Sequence, residues 1–205
     1  MSPEFQQRAA ELIDAGRLLY SMGMVPATSG NFSARLKDNT LAITVSGRHK
    51  GHLTPADIML ADATGRSLDG NRPSAETLLH VQIYHRFPEA CCILHPHSVN
   101  ATLLSLLADA DIELRDYEIL KAFPGIDTHE CKITVPVFAN DQDISRLATV
   151  VATRMADTNE VFHGYLIRGH GFYTWGNSVK DALRHVEAFE FLFDCEMRRK
   201  GVSHE

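Results

Sequence analysis

The apolar run Ala90-Cys91-Cys92-Ile93-Leu94 ends in His95-Pro96-His97, and this junction constrains the chain more than any other segment. The run reads as a strand. Alternate residues of an extended chain point the same way, so His95 and His97 aim both imidazoles at one place. Histidine is the commonest side-chain metal ligand, and neutral imidazole suits zinc. A second element, Arg168-Gly169-His170-Gly171, follows another apolar run, and its glycines allow a sharp turn or a close backbone approach. Together the two elements point to a three-histidine metal site with one coordination position left for chemistry. Taken singly, each has a plainer reading: surface or hydrogen-bonded core histidines for the first, an ordinary turn for the second.

The segments around these elements outline a layered fold. Phe5, Ala9, Leu12, Ile13 and Leu19 predict an amphipathic helix from Pro3 to about Met22, ended by Gly23. Thr28-Ser29-Gly30-Asn31 is a polar turn, followed by strands over Phe32–Leu36, Leu41–Val45 and Ile58–Ala61. Ser74 caps a helix from Ala75 to about Phe87, and Ser98 caps another to about Ala108. Lys132–Phe138 alternates toward a strand in which Pro136 marks an edge or an end. Ile144, Leu147, Ala148 and Val151 mark a helix, and a last one runs from Val179 to about Lys200. Tyr165–Ile167 and Phe172–Trp175 form a strand pair around Gly169-His170-Gly171. Strands come in adjacent pairs as well as alternating with helices, so helices covering a mixed or antiparallel sheet fit better than a purely parallel one.

Bulk properties narrow the function classes. With 205 residues the chain can bury a real core. A formal charge of −6 argues against broad electrostatic binding of nucleic acid or an anionic membrane surface. Cys91, Cys92, Cys131 and Cys195 form no C-x-x-C pair and read as free thiols in a reducing compartment. No charged-then-apolar leader opens the sequence and no apolar stretch approaches membrane-spanning length, so a cytoplasmic location is expected.

Four further groups could carry chemistry. Glu76 falls in the first turn of the helix capped by Ser74, either complementing the helix dipole or serving as a ligand or base beside the histidines. Pro73-Ser74-Ala75 offers free amides at a helix start, which suit an anion. Ser46-Gly47-Arg48-His49-Lys50-Gly51 is the one concentrated basic turn in an acidic chain; a phosphate would find a hydroxyl, a glycine amide and two cations there. Asp116-Tyr117-Glu118-Ile119-Leu120-Lys121 is either a solvated helix face or the source of an acid–base pair. No Walker lysine motif, G-x-G-x-x-G, G-x-S-x-G or H-E-x-x-H occurs, which disfavours nucleotide binding, serine hydrolysis and metalloproteolysis.

Thr28-Ser29-Gly30-Asn31, Ser46-Gly47, Pro73-Ser74-Ala75-Glu76, His95-Pro96-His97 and Gly169-His170-Gly171 occur in an order that resembles the class II aldolase and sugar-phosphate epimerase family over nearly the whole chain. Within it, Ser46-Gly47-Arg48-His49-Lys50, Tyr117-Glu118-Ile119-Leu120-Lys121 and Phe123-Pro124-Gly125-Ile126-Asp127-Thr128-His129 are similar to the branch that dehydrates 5-methylthioribulose 1-phosphate in methionine salvage. The resemblance implies an α/β fold: one class II aldolase-like domain over 1–205, three-layered α/β/α, with a central, mostly antiparallel sheet. It implies one Zn2+ per subunit, held by His95, His97 and His170. It assigns the acid/base role to the position of Glu118 in the dehydratase branch and of Glu76 in the aldolase branch. Asn31, Ser46, Gly47 and Ser74, with Lys50 added, are the expected phosphate-binding residues of a sugar-phosphate substrate. Family members are commonly homotetramers with sites near subunit boundaries. The competing expectations are a class II aldolase or 4-epimerase acting on another sugar phosphate and, more remotely, a non-enzymatic metal-binding protein.

Overall fold

Ser2 caps the first helix, α1 (Pro3–Ser21): its hydroxyl accepts from the Phe5 amide at 3.2 Å, and Pro3 sits in the first turn, where no amide is needed. The computed structural model describes residues 1–158 and 160–202; residue 159 and the last three positions of the expected 1–205 domain lie outside them. After α1 come β1 (Asn31–Arg35), β2 (Leu41–Thr44), β3 (Ile58–Ala61), α2 (Thr77–Arg86), β4 (Cys92–His95) and α3 (Val99–Leu107). The chain continues through β5 (Ile112–Arg115), β6 (Lys132–Val135), β7 (Val137–Phe138), α4 (Ile144–Ala156), β8 (Gly164–Ile167), β9 (Gly171–Gly176) and α5 (Val179–Val202). Short 3-10 turns cover Lys50–His52, Pro55–Asp57 and Glu118–Ala122.

Seven strands form the main sheet in the order β3-β2-β1-β4-β9-β8-β7, and every described pairing is antiparallel except β7 with β8. Helices cover both faces, as the alternation along β4 requires. Cys92 and Leu94 join a core with α1, α3 and α5, including Leu12, Leu104 and Phe189. Ile93 points the other way, into a core with Leu79 and Ile83 of α2 and Leu147 and Val151 of α4. This is the expected three-layer arrangement. Among the described residues no helix is long and apolar enough to cross a membrane.

Two boundaries differ from expectation, and the second matters for the site. The segment Lys132–Phe138 is two strands, because Pro136 lacks an amide for the ladder. Its β6 half pairs with β5 in a separate two-stranded sheet, and its β7 half pairs with β8. Helix α2 starts at Thr77, two residues later than Ser74 would have it as a cap. A turn closed by Thr77 N–H donating to Ser74 O at 3.1 Å precedes it. Glu76 therefore occupies the cap position with no capping hydrogen bond of its own, and its carboxylate is released toward the histidines.

Candidate active site

The histidine cluster hangs from the middle of the main sheet. His95 is the last residue of β4 and fully buried; His97 follows Pro96; His170 lies in the turn between β8 and β9. One nitrogen from each falls within 4.8 Å of the others. The backbone approach that makes this possible depends on glycine. A methyl group on Gly171 would sit 2.3 Å from the Pro96 carbonyl oxygen, and one on Gly30 would sit 2.6 Å from the His95 carbonyl oxygen.

Hydrogen bonding fixes how His95 presents itself. Its Nδ1–H donates to the Phe172 carbonyl at 2.8 Å, leaving the Nε2 lone pair aimed into the cluster. Tyr173 stacks on the ring at a centroid distance of 3.9 Å. Burial, aided by the neighbouring imidazoles, pushes His95 and His97 well below the ordinary histidine range, so both are neutral, as metal ligation requires. His97 Nε2 lies 2.9 Å from His95 Nε2. Glu76 enters the same space, with Oε2 at 3.5 Å from His95 Nε2 and Oε1 at 3.3 Å from His170 Nε2. Lone pairs of imidazole and carboxylate converge here in excess of the protons available to separate them. That donor set fits a cation, and its nitrogen-rich composition fits zinc.

Asn31 joins this cluster to a polar cradle. It begins β1, in register with His95, and its Nδ2 donates to Glu76 Oε2 at 2.6 Å. Asn31, Ser46, Gly47, Lys50 and Ser74 line one cavity of about 260 Å3, which Glu76 and His97 also border. Gly47 has φ +73 with open space around it, so its amide is presented by a left-handed turn that glycine adopts without strain. Lys50 is 2% exposed, and its ammonium donates to the carbonyls of Thr28 at 2.8 Å and Arg48 at 2.6 Å, stitching the two loops together. Burial lowers it to about 8. The other cation of this turn points elsewhere: Arg48 pairs with Asp57 at 3.1 Å. The cradle thus has one lysine where the sequence offered two cations.

A second cavity, of about 460 Å3, adjoins the first and shares Ser46, Ser74, Glu76 and His97 with it. Asn140, Gln142, Ile144 and Leu147 wall it; these were not expected at the site, because nothing local in a loop and the start of α4 marks them. His80 was also missed. It lies on α2, fully buried, with Nε2 against Asn31 Oδ1. Its spacing of four from Glu76 places both on one helical face, which is the signal that could have found it.

Glu118 lies apart. It opens the 3-10 turn Glu118–Ala122, exposed to solvent, with Lys121 at 2.5 Å and His129 at 3.7 Å. The hydrogen bond from Lys121 holds its carboxyl below the ordinary range. That turn is anchored away from the sheet centre through Leu120 and through Tyr117, whose hydroxyl donates to Glu196 of α5 at 2.8 Å. Among the described residues of one chain, no hydrogen bond or ion pair joins Glu118 to His95, His97 or His170.

Comparison with known proteins places this geometry. Residues 10–197 match the model of the class II aldolase and adducin N-terminal domain. The chain is 64% identical over 199 residues to methylthioribulose-1-phosphate dehydratase of Methylococcus capsulatus, covering 97% of each. It is 54% identical over 199 residues to the protein of that name from Pseudomonas syringae pv. syringae, covering 96% of this chain and 97% of the relative. The solved structure of L-fuculose-1-phosphate aldolase from Thermus thermophilus superimposes with a TM-score of 0.76 at 25% identity, covering 98% of this chain and 99% of that one. The sheet order, the three convergent histidines and the full-length matches lead to one conclusion: this chain belongs to the class II aldolase and adducin N-terminal domain family.

Proposed function

We propose that the chain is a hydro-lyase that removes water from 5-methylthioribulose 1-phosphate, giving 2,3-diketo-5-methylthiopentyl 1-phosphate. The observation that carries this reading is the continuity of three parts. The anion cradle, the histidine cluster and the second cavity share Glu76 and His97 as common walls, and full-length relatives carry the dehydratase name. Zinc held by His95, His97 and His170 would supply Lewis-acid stabilisation of the negative oxygen that develops next to the carbon losing its proton.

The protein's own groups do the rest. The phosphate sits against the Ser46 and Ser74 hydroxyls, the Gly47 amide and the second Nδ2 proton of Asn31, with the Lys50 charge behind them. The sugar carbons then pass His97 and Glu76, and the methylthio end reaches the second cavity beside Ile144 and Leu147. A carboxylate takes the C3 proton, and that electron pair forms the C2–C3 double bond of an enediolate. As the C2 carbonyl re-forms, the C3–C4 double bond forms and the C4 hydroxyl leaves with a proton as water. The resulting enol becomes the diketone, with the net loss of one water. We assign the C3 proton to Glu118 supplied by a neighbouring copy, in keeping with a homotetramer whose sites lie near subunit boundaries, and a supporting acid/base place to Glu76.

The likeness to an L-fuculose-1-phosphate aldolase motivates one alternative, in which a related enediolate forms by breaking C3–C4. The deciding experiment incubates the zinc-loaded protein with 5-methylthioribulose 1-phosphate, with and without a chelator, and identifies the product by mass. Chelator-sensitive loss of one water is expected. Release of dihydroxyacetone phosphate from a sugar phosphate would refute the dehydratase reading.

A further inference from the structure

A line of buried hydrogen bonds runs from the α2 side of the sheet to Glu76. Tyr84 OH lies 2.9 Å from Ser33 Oγ, and Ser33 Oγ lies 2.7 Å from His80 Nδ1. His80 Nε2 contacts Asn31 Oδ1, and Asn31 Nδ2 lies 2.6 Å from Glu76 Oε2. Ser33 and His80 are fully buried, and Tyr84 nearly so. Valence fixes the direction of every bond. Asn31 gives its amide nitrogen to Glu76 Oε2 and therefore turns its oxygen to His80. An amide oxygen only accepts, so His80 carries its proton on Nε2. Burial pushes His80 down to about 4, so it holds a single proton and Nδ1 is bare. Nδ1 then accepts from the Ser33 hydroxyl, and Ser33 in turn accepts from Tyr84, whose phenol burial keeps protonated. All four bonds donate toward the same carboxylate oxygen, a polarised array in which each bond strengthens the next.

From this array we infer that His80 is a positioning residue for Glu76. Its Nε2–H forbids the flipped amide of Asn31, and thereby ties down Glu76 Oε2 and leaves Oε1, 3.3 Å from His170 Nε2, outside the array. The inference rests on the acid/base place given to Glu76 above; the array itself does not. Asn31 has a double duty under this reading: one Nδ2 proton orients the carboxylate while the other faces the cradle. A change at His80, remote from any substrate atom, is therefore transmitted to the reacting carbons through two side chains.

The test uses the zinc-loaded full chain. His80→Leu removes both hydrogen bonds and is expected to lower kcat about 100-fold through misplacement of Glu76, with zinc content unchanged. His80→Gln offers one donor and one acceptor and is expected to recover kcat to within about 10-fold of wild type. Ser33→Ala, which removes both the proton given to Nδ1 and the acceptor of the Tyr84 hydroxyl but leaves His80 in place, is expected to cost about 5-fold in kcat, and serves where His80→Leu does not fold. Nitrogen NMR of histidine-labelled protein is expected to find His80 neutral and protonated on Nε2. Wild-type kcat in His80→Leu or Ser33→Ala, equal damage by Leu and Gln, or a proton on Nδ1 would each overturn the inference. Wild-type turnover in Glu76→Gln, with His80 still protonated on Nε2, would instead overturn the role given to Glu76.

Discussion

Gly171→Ala tests whether the histidine cluster is held by backbone proximity between β4 and β9. The new methyl group would stand 2.3 Å from the Pro96 carbonyl oxygen, 3.0 Å from His97 Cδ2 and 3.2 Å from His95 Cε1. Carbon and oxygen approach to about 3.3 Å at closest in ordinary backbone contacts, so the two segments must part by about 1 Å. Backbone conformation adds nothing to the cost, since Gly171 is not among the left-handed glycines. The carbonyl that must move accepts the Phe172 amide at 3.1 Å, and the Phe172 carbonyl orients His95 through Nδ1. The disturbance thus reaches a metal-ligand candidate through two hydrogen bonds. Expected effects are about 1–3 kcal/mol of stability from overpacking, a weakening of zinc binding of about 10–100-fold, and a fall of about 100-fold in kcat at saturating zinc. Competition with a chelator of known affinity, followed by turnover at saturating zinc, separates the last two. Gly70→Ala is the control: at φ +81 with no atom within 4 Å of the added carbon, it is expected to cost about 1 kcal/mol and leave kcat unchanged. Gly171→Ala with wild-type zinc affinity and kcat would refute the reasoning.

Three further perturbations address the remaining groups. His97→Ala is expected to abolish zinc retention on dialysis, measured as metal per chain; full occupancy would contradict the ligand set. Glu118→Gln is expected to retain zinc and lose nearly all turnover, and wild-type turnover would move the proton transfer to Glu76. For Lys50, charged below about 8 in the folded chain, kcat/KM should fall as pH rises through that value, and Lys50→Met should raise KM about 10-fold or more and flatten the profile. Stability runs the other way. The folded value lies below the unfolded 10.5, so the unfolded chain binds more protons between the two and folding becomes more favourable as pH climbs from about 8 toward 10.5. A denaturation series across that window that fails to show the rise would show Lys50 to be less buried than described.

Much of the architecture was legible because the residues concerned are governed by local rules. Strand alternation and apolar runs marked β1, β2, β3, β4, β8 and β9, and the helical spacing of Phe5 through Leu19 marked α1. The histidine elements stood out because each closes or interrupts a strand. What was not legible depends on partners distant in sequence. Nothing in Ile112–Arg115 says that it will pair with Lys132–Val135, since its alternation is short and ends at Asp116, a left-handed residue with φ +63. The release of Glu76 from its expected helical turn follows from where the Ser74 carbonyl finds a donor. Burial of Lys50 was equally hidden: a basic turn reads as solvated, and only the carbonyls of Thr28 and Arg48 reveal why an ammonium is retained inside.

Pro136 has an effect beyond dividing a strand. It leaves β7 two residues long at one border of the main sheet, too short to template another chain. At the opposite border, the backbone of β3 is already engaged: Leu60 donates to Asp69 and accepts from Leu68, and Ala61 bridges to Ser67. With both borders blunted, the main sheet offers no row of open backbone groups to a second copy. An interface formed against this sheet would therefore rest on side chains, where single substitutions can tune it without disturbing the strands that carry the histidines.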